Sequence, residues 1–280
     1  MKEGGDGMRW EYGSKWGYPF SYGRESGGIM ESLTKYKPNI EVVSGPERLA
    51  QRSVEFFVAG ARKAIEARGA FHVAISGGHT PRRFYELLGS MSQARSMPWE
   101  KVHLFWVDER LVSADSHLSN YKLAADTFLR EVAIPDRNVH RIPTEYDDFK
   151  IAAHQYEQTI RKVFRLEPGR IPAFDLIVLG MGVDGHTGSL FPNSYATFDT
   201  DDLACVVYVL DEELNRITLT HPVLRAARGV VVLVCGREKA AILKEVLTRE
   251  PDEVRYPIHA LWPALDKVTW LVDEAAAQQL

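Results

Sequence analysis

From about residue 38 onward the chain alternates short apolar runs with segments of helical spacing, and no other feature constrains its fold as strongly. The runs are IEVVS, FHVAIS, VHLFWVD, NVHRI, FDLIVLG, ACVVYVL, RITLT, VVVLVCG and VTWLV. They are continuous rather than alternating in hydrophobicity. A strand that is apolar on both faces must be covered on both faces, as in parallel sheets flanked by helices. Between the runs, Val54, Phe57, Val58, Ala61 and Ile65 recur at helical spacing and stop at Gly69. PRRFYELL, SNYKLAADTFLREV, DDFKIAAHQYEQTIRKVF and REKAAILKEVL also read as helices. Ser44, three residues before Glu47, is expected to open the first helix as a capping box, with Pro46 between them. The pattern predicts a doubly wound, Rossmann-like α/β domain with a mostly parallel sheet. Ligands in that architecture sit at the carboxyl ends of strands, near a topological switch point. Four loops then carry the interest: 76–81, 108–121, 180–192 and 235–239.

The net charge of −4 supplies no general cationic field for nucleic acid, so an anionic ligand must be held by local cations. No apolar run approaches the length of a membrane span. The polar, glycine-rich start lacks a signal-peptide core, which leads to the expectation of a cytoplasmic protein. Cys205 and Cys235 lie within apolar runs and read as structural, reduced thiols, with no close pair to suggest zinc. Residues 1–37 lack periodicity and are set apart as an N-terminal extension to a single α/β domain over 38–280. A disordered extension, an upstream start ahead of Met30 and a tail packed on the body all remain open for that segment.

SGGHTP, residues 76–81, joins a strand to a helix. Gly77 and Gly78 permit close backbone approach, Ser76 and Thr80 add hydroxyls, and the helix start offers free N–H groups. This suits a phosphate, although a plain strand-to-helix turn explains the loop as well. Ser76 also sits where a nucleophile elbow would place its serine. Asp184 and His186 would then complete a triad. An acid two residues ahead of a histidine is expected to reach its ring nitrogen only rarely, which argues against that reading.

GMGVDG, residues 180–185, matches G-x-G-x-x-G, but Pro192 interrupts any long helix after it, so a dinucleotide fingerprint is disfavoured. What remains is a loop that presents His186 at a strand's carboxyl end. An imidazole there can take a proton at neutral pH, with Asp184 to orient it or to hold a ligand hydroxyl. In DERLV, Asp108 and Glu109 are acid–base candidates and Arg110 a phosphate clamp; a salt bridge that merely shapes the loop is the plainer alternative. Ser119-Asn120-Tyr121 caps the next helix. Lys239 falls in a first helical turn, where a cation is unfavourable unless an anion compensates it. Arg216 is a weaker candidate of the same kind. His72 and His103 lie within strand runs, His154 lies on a helix, and His117, His221 and His259 have no nameable partner.

Taken in order, SGGHTP, VDERLV with SNY, GMGVDGHTGSLFP, RITLT and the G-x-x-K of GREK resemble the 6-phosphogluconolactonase family over roughly residues 40–275. The related glucosamine-6-phosphate isomerase/deaminases characteristically read DEY and GHIAFNEP where this chain has DER and GHTGSLFP. Two positions depart from the family pattern: His79 replaces the second serine of SGGSTP, and Gly188 stands where alanine is common. The resemblance implies a catalytic domain that hydrolyses 6-phospho-D-glucono-1,5-lactone in the pentose phosphate pathway, without metal or cofactor. The expected partner is that phosphorylated sugar lactone, and the expected assembly a monomer or small homo-oligomer. His186 is then the expected general base, assisted by Asp184. Ser76, Gly77, Gly78, Thr80, Asp108, Arg110, Arg216 and Lys239 are the expected substrate and phosphate contacts. An isomerase/deaminase with Asp108 as base and a non-catalytic sugar-phosphate sensor are the alternatives.

Overall fold

A computed structural model describes residues 37–209 and 214–280. All but the last residue of the expected extension over 1–37 lies outside the described residues. Ten strands are present among the described residues: β1 (Asn39–Val43), β2 (Phe71–Ile75), β3 (Val102–Trp106), β4 (Asp108–Arg110), β5 (Val139–His140), β6 (Leu176–Gly180), β7 (Ala204–Val207), β8 (Arg216–Leu219), β9 (Val230–Val234) and β10 (Val268–Asp273). The helices are α1 (Pro46–Arg68), α2 (Thr80–Ser90), α3 (Ser92–Arg95), α4 (Asn120–Ala124), α5 (Phe149–Phe164), α6 (His221–Ala226) and α7 (Ala240–Thr248).

Seven strands form one sheet in the order β1-β10-β9-β6-β2-β3-β5, and every pairing in it is parallel. This is the doubly wound α/β arrangement the apolar runs predict. All five residues of VVVLV in β9 are buried, as a strand covered on both faces requires. From β2 the chain steps outward through β3 to β5, then returns to lay β6 on the other side of β2 and continues to β9 and β10. The switch point therefore falls between β2 and β6, whose carboxyl ends carry the loops at 76–79 and 181–192.

VHLFWVD, expected as one strand, is divided between two sheets. Beyond Phe105, β3 has no strand on its outer side. The buried Tyr156 hydroxyl of α5 takes over there, accepting from Trp106 N at 3.0 Å and donating to Trp106 O at 2.6 Å. With that edge satisfied, the chain turns at Val107, and Asp108–Arg110 pairs antiparallel with β8. ACVVYVL and RITLT likewise do not extend the parallel sheet; β4, β8 and β7 form a separate three-stranded antiparallel sheet. RITLT does alternate polar and apolar residues, but all four residues of β8 are buried, so that alternation marks no solvent-facing side.

Two helix boundaries also differ from expectation. Ser44 does not cap α1: Gly45 occupies the cap with no side-chain hydrogen bond, and Pro46 starts the helix. Glu47 is engaged instead by Arg83 at 2.7 Å. Gly69 ends the helix as expected, at φ 80° with its N–H on Ile65 O. The segment expected as one helix over 119–132 is a short α4 that widens into a five-residue π turn, Ala125–Leu129. The core centres on large buried rings such as Trp99, Trp106 and Trp270, with Phe57 and Phe71 meeting edge to face at 5.3 Å.

Candidate active site

A cavity of about 450 Å³ opens at the carboxyl edge of the sheet, beside the switch point. Ser76, Gly77, Gly78, Thr80, Asp108, Arg110, His186, Arg216 and Lys239 all line it. Asp184, the remaining expected residue, is not on the wall and stands behind His186. Loops after β2, β6 and β9 and strands β4 and β8 of the small sheet thus converge on one space.

The loop after β6 folds back on itself. Gly182 N donates to His186 O at 2.8 Å, and Gly185, at φ 84°, closes a turn onto Gly182 O. That reversal brings Asp184 Oδ1 to 2.7 Å from His186 Nδ1 and 3.1 Å from His186 N. The expectation that an acid two residues earlier seldom reaches the ring is therefore wrong here. No room is left at residue 182 for a side chain: a Cβ there would lie 2.1 Å from His186 Nδ1 and 2.5 Å from Asp184 Oδ1. Burial alone would raise the Asp184 carboxyl. The hydrogen bonds from His186 outweigh it and hold the group below the usual range. A carboxylate at Nδ1 makes that nitrogen the N–H donor and leaves Nε2 with its lone pair. Phe191 packs on the ring at 4.8 Å between centroids.

The phosphate-type loop is held from below. The Tyr85 hydroxyl donates to Ser76 O. Among the described residues Ser76 Oγ is buried without a hydrogen-bond partner, although its residue lines the cavity. A hydroxyl in that state is satisfied by a ligand or is costly. It forms no bond to His186, so the serine-nucleophile reading gains no support. The dinucleotide reading fails too, because β6 leads to a 3-10 turn, Tyr195–Phe198, and not to a helix.

Asp108 is buried, and its Oδ2 accepts from Ser189 Oγ at 2.7 Å. Glu109 is spent structurally: Arg110 N, Asn120 N and Tyr121 N donate to it at 2.8 Å, and Ser119 Oγ at 2.9 Å. Burial still pushes its carboxyl up against those four donors. Ser119 caps α4 as expected, accepting from Lys122 N. Asn120 and Ser189 escaped the sequence reading as site residues. Asn120 donates to Asp108 O at 2.9 Å and accepts from Arg110 at 3.1 Å; only its cap position was visible in SNY. Gly77 approaches Asn120 so closely that a Cβ would fall 1.7 Å from Oδ1.

Arg110, Arg216 and Lys239 bring cationic side chains to the cavity wall. Arg110 and Arg216 are direct cross-strand partners of β4 and β8. Like charges so placed repel unless an anion lies between them. Lys239 ends a 3-10 turn at the cap position of α7. Burial pulls its ammonium down, partly offset by Glu238 and Asp184. His79 and Glu238 also line the cavity. Elsewhere, His221 lies 3.5 Å from Glu253, and His259 accepts from Asp252 N, so both have partners. Cys205 and Cys235 are free thiols. Among the described residues no His, Cys, Asp and Glu cluster has the arrangement to hold a metal ion, and no helix is long and apolar enough to cross a membrane.

Fold and cavity together define a doubly wound α/β protein with a carboxylate-oriented histidine facing an anion-suited cleft. The family model described as glucosamine-6-phosphate isomerases/6-phosphogluconolactonase matches residues 44–270. The chain is 39% identical over 243 residues to a 6-phosphogluconolactonase of Synechocystis, covering 87% of this chain and 98% of the relative. It is 37% identical over 245 residues to one of Nostoc, covering 87% and 99%. The solved 6-phosphogluconolactonase of Trypanosoma cruzi superposes with a TM-score of 0.77 at 28% identity, covering 88% of this chain and 97% of that one. The chain belongs to the glucosamine-6-phosphate isomerase/6-phosphogluconolactonase family.

Proposed function

We propose that the protein is a lactone hydrolase that converts 6-phospho-D-glucono-1,5-lactone to 6-phosphogluconate in the pentose phosphate pathway, acting in the cytoplasm. The observation that carries this reading is the Asp184–His186 pair at 2.7 Å, whose imidazole lies on the wall of a cationic, glycine-lined cavity. Relatives that carry the lactonase name over nearly their whole length support the same choice.

His186 Nε2 takes a proton from water, and the hydroxide adds to the lactone carbonyl carbon. The tetrahedral intermediate collapses, the bond to the ring oxygen breaks, and the imidazolium returns its proton to that oxygen. Acid–base help of this kind contributes about 10²–10⁴-fold. Asp184 fixes the tautomer and balances the transient imidazolium. The phosphate is remote from the carbonyl, and its binding energy holds the ester near the base. The backbone of Gly77 and Gly78, the hydroxyls of Ser76 and Thr80, and the charges of Arg110, Arg216 and Lys239 would receive it. Asp108 keeps one carboxylate oxygen clear of Ser189 for a sugar hydroxyl.

Proton release from the phosphorylated lactone tests the proposal. Turnover well above the spontaneous rate supports it, and turnover equal to that rate with intact folded protein defeats it. Ammonia release from glucosamine 6-phosphate would move the assignment to the isomerase/deaminase branch, with Asp108 as base.

A further inference from the structure

A second cavity, of about 1010 Å³, lies at the opposite, amino-terminal edge of the sheet. Its floor is a row of histidines from three adjacent strands. His72 and His103 are register partners in β2 and β3, with rings stacked at 5.0 Å. His103 and His140 of β5 stack at 5.4 Å with planes 1° apart, and Nδ1 of one lies 3.1 Å from Nε2 of the other.

Charge on the walls is lopsided. Arg68, Arg137, Lys162, Arg165 and Arg228 line this cavity, in a chain whose net charge is −4. The acids there are Glu100 and Asp175. Asp175 is already engaged by Arg68 at 2.7 Å and by Arg228 at 3.4 Å. Arg137, Lys162 and Arg165 have no ion pair among the described residues. Proximity to helix carboxyl ends accounts for Arg68, Lys162 and Arg165 in part. It does not account for Arg137, which sits in a 3-10 turn before β5, nor for the histidine row.

We propose that this cavity is a second anion site, separate from the lactone site, and that it takes a small phosphorylated molecule. Arg137, Lys162 and Arg165 would supply the charge and the imidazole row the hydrogen bonds. Such a ligand offers several acceptor oxygens to cations and N–H groups at once. Burial and the neighbouring His103 and His72 hold His140 down at about 4. Burial, then His72 and Arg137, lower His103 as well. The floor is thus kept from adding its own charge to the crowded cations, a tension that a bound dianion relieves.

The test is a titration of the full chain with inorganic pyrophosphate, against sodium chloride of equal ionic strength, with imidazole resonances followed by NMR. Saturable shifts of His72, His103 and His140 are expected. Arg137→Glu combined with Lys162→Glu should weaken that binding by roughly tenfold or more, the scale of two exposed ionic contacts. Both side chains are exposed, so hydrolysis of the lactone should persist in the variant and report that it is folded; Arg137→Gln with Lys162→Gln provides a milder second variant. Shifts confined to His186, shifts that grow without saturating, or shifts that the charge-reversed variant retains would each overturn the proposal. None of these outcomes bears on the lactonase reading.

Discussion

At the scale of single residues, the proposed chemistry rests on one hydrogen bond between Asp184 and His186. Its two members were visible in GMGVDGHTG as residue types at a strand's end, but their contact was not. The contact depends on the loop turning back through Gly182 and Gly185, a conformation that spacing alone does not reveal. Replacing the proposed base by alanine (His186→Ala) should lower kcat by about 10²–10⁴-fold with little change in phosphate-dependent binding. Gly182→Ala should reproduce much of that loss, about 10²-fold in kcat, because its methyl group displaces the imidazole from Asp184. Steady-state kinetics on folded variants checks both; a Gly182→Ala enzyme of normal kcat would show that the pair is dispensable. Lys239→Ala belongs to binding and should raise KM with kcat largely kept. Ser189 was illegible as a site residue because its partner Asp108 is 81 positions away, and Asn120 because SNY reads as a helix cap, although Asn120 reaches Arg110 and lines the cavity.

At the scale of elements, the parallel strands were legible because continuous burial leaves a continuous apolar run. The small antiparallel sheet was not: ACVV of β7 reads as one more apolar run, and the alternation of RITL marks no exposed face because β8 is buried throughout. The break between β3 and β4 rests on Tyr156, some 50 residues away, which no local window contains. The histidine row gives this scale its pH prediction. His140 has a folded pKa of about 4 against an ordinary value of 6.5. Between those values the unfolded chain binds a proton that the folded chain refuses. Its contribution to stability is therefore complete above about 6.5 and is lost as pH falls toward 4, the direction expected for a histidine kept neutral by burial. The melting temperature should drop between pH 7 and pH 4.5, and less steeply in His140→Gln; equal slopes would contradict the assignment. His103 and His259, also lowered by burial first, add to the wild-type slope and remain in the variant.

At the scale of the whole molecule, the sheet order places the loops after β2 and β6 side by side, and the chemistry follows from that placement. Order of strands is a long-range property; the sequence supported the class of sheet, and the ordered motifs supplied the rest by resemblance. The core that keeps the loops in register is correspondingly sensitive. Leu104 in β3 is fully buried, and Leu104→Ala should cost roughly 2–5 kcal/mol by chemical denaturation. The proposed reaction is hydrolysis of a phosphorylated lactone in this cleft by a carboxylate-oriented imidazole. Proton release from 6-phospho-D-glucono-1,5-lactone, measured side by side for the unaltered protein and His186→Ala, tests it most directly. Rapid turnover is expected in the first and a loss of about 10²-fold or more in the second; equal rates in the two, or an unaltered protein no faster than water, would overturn the proposed reaction.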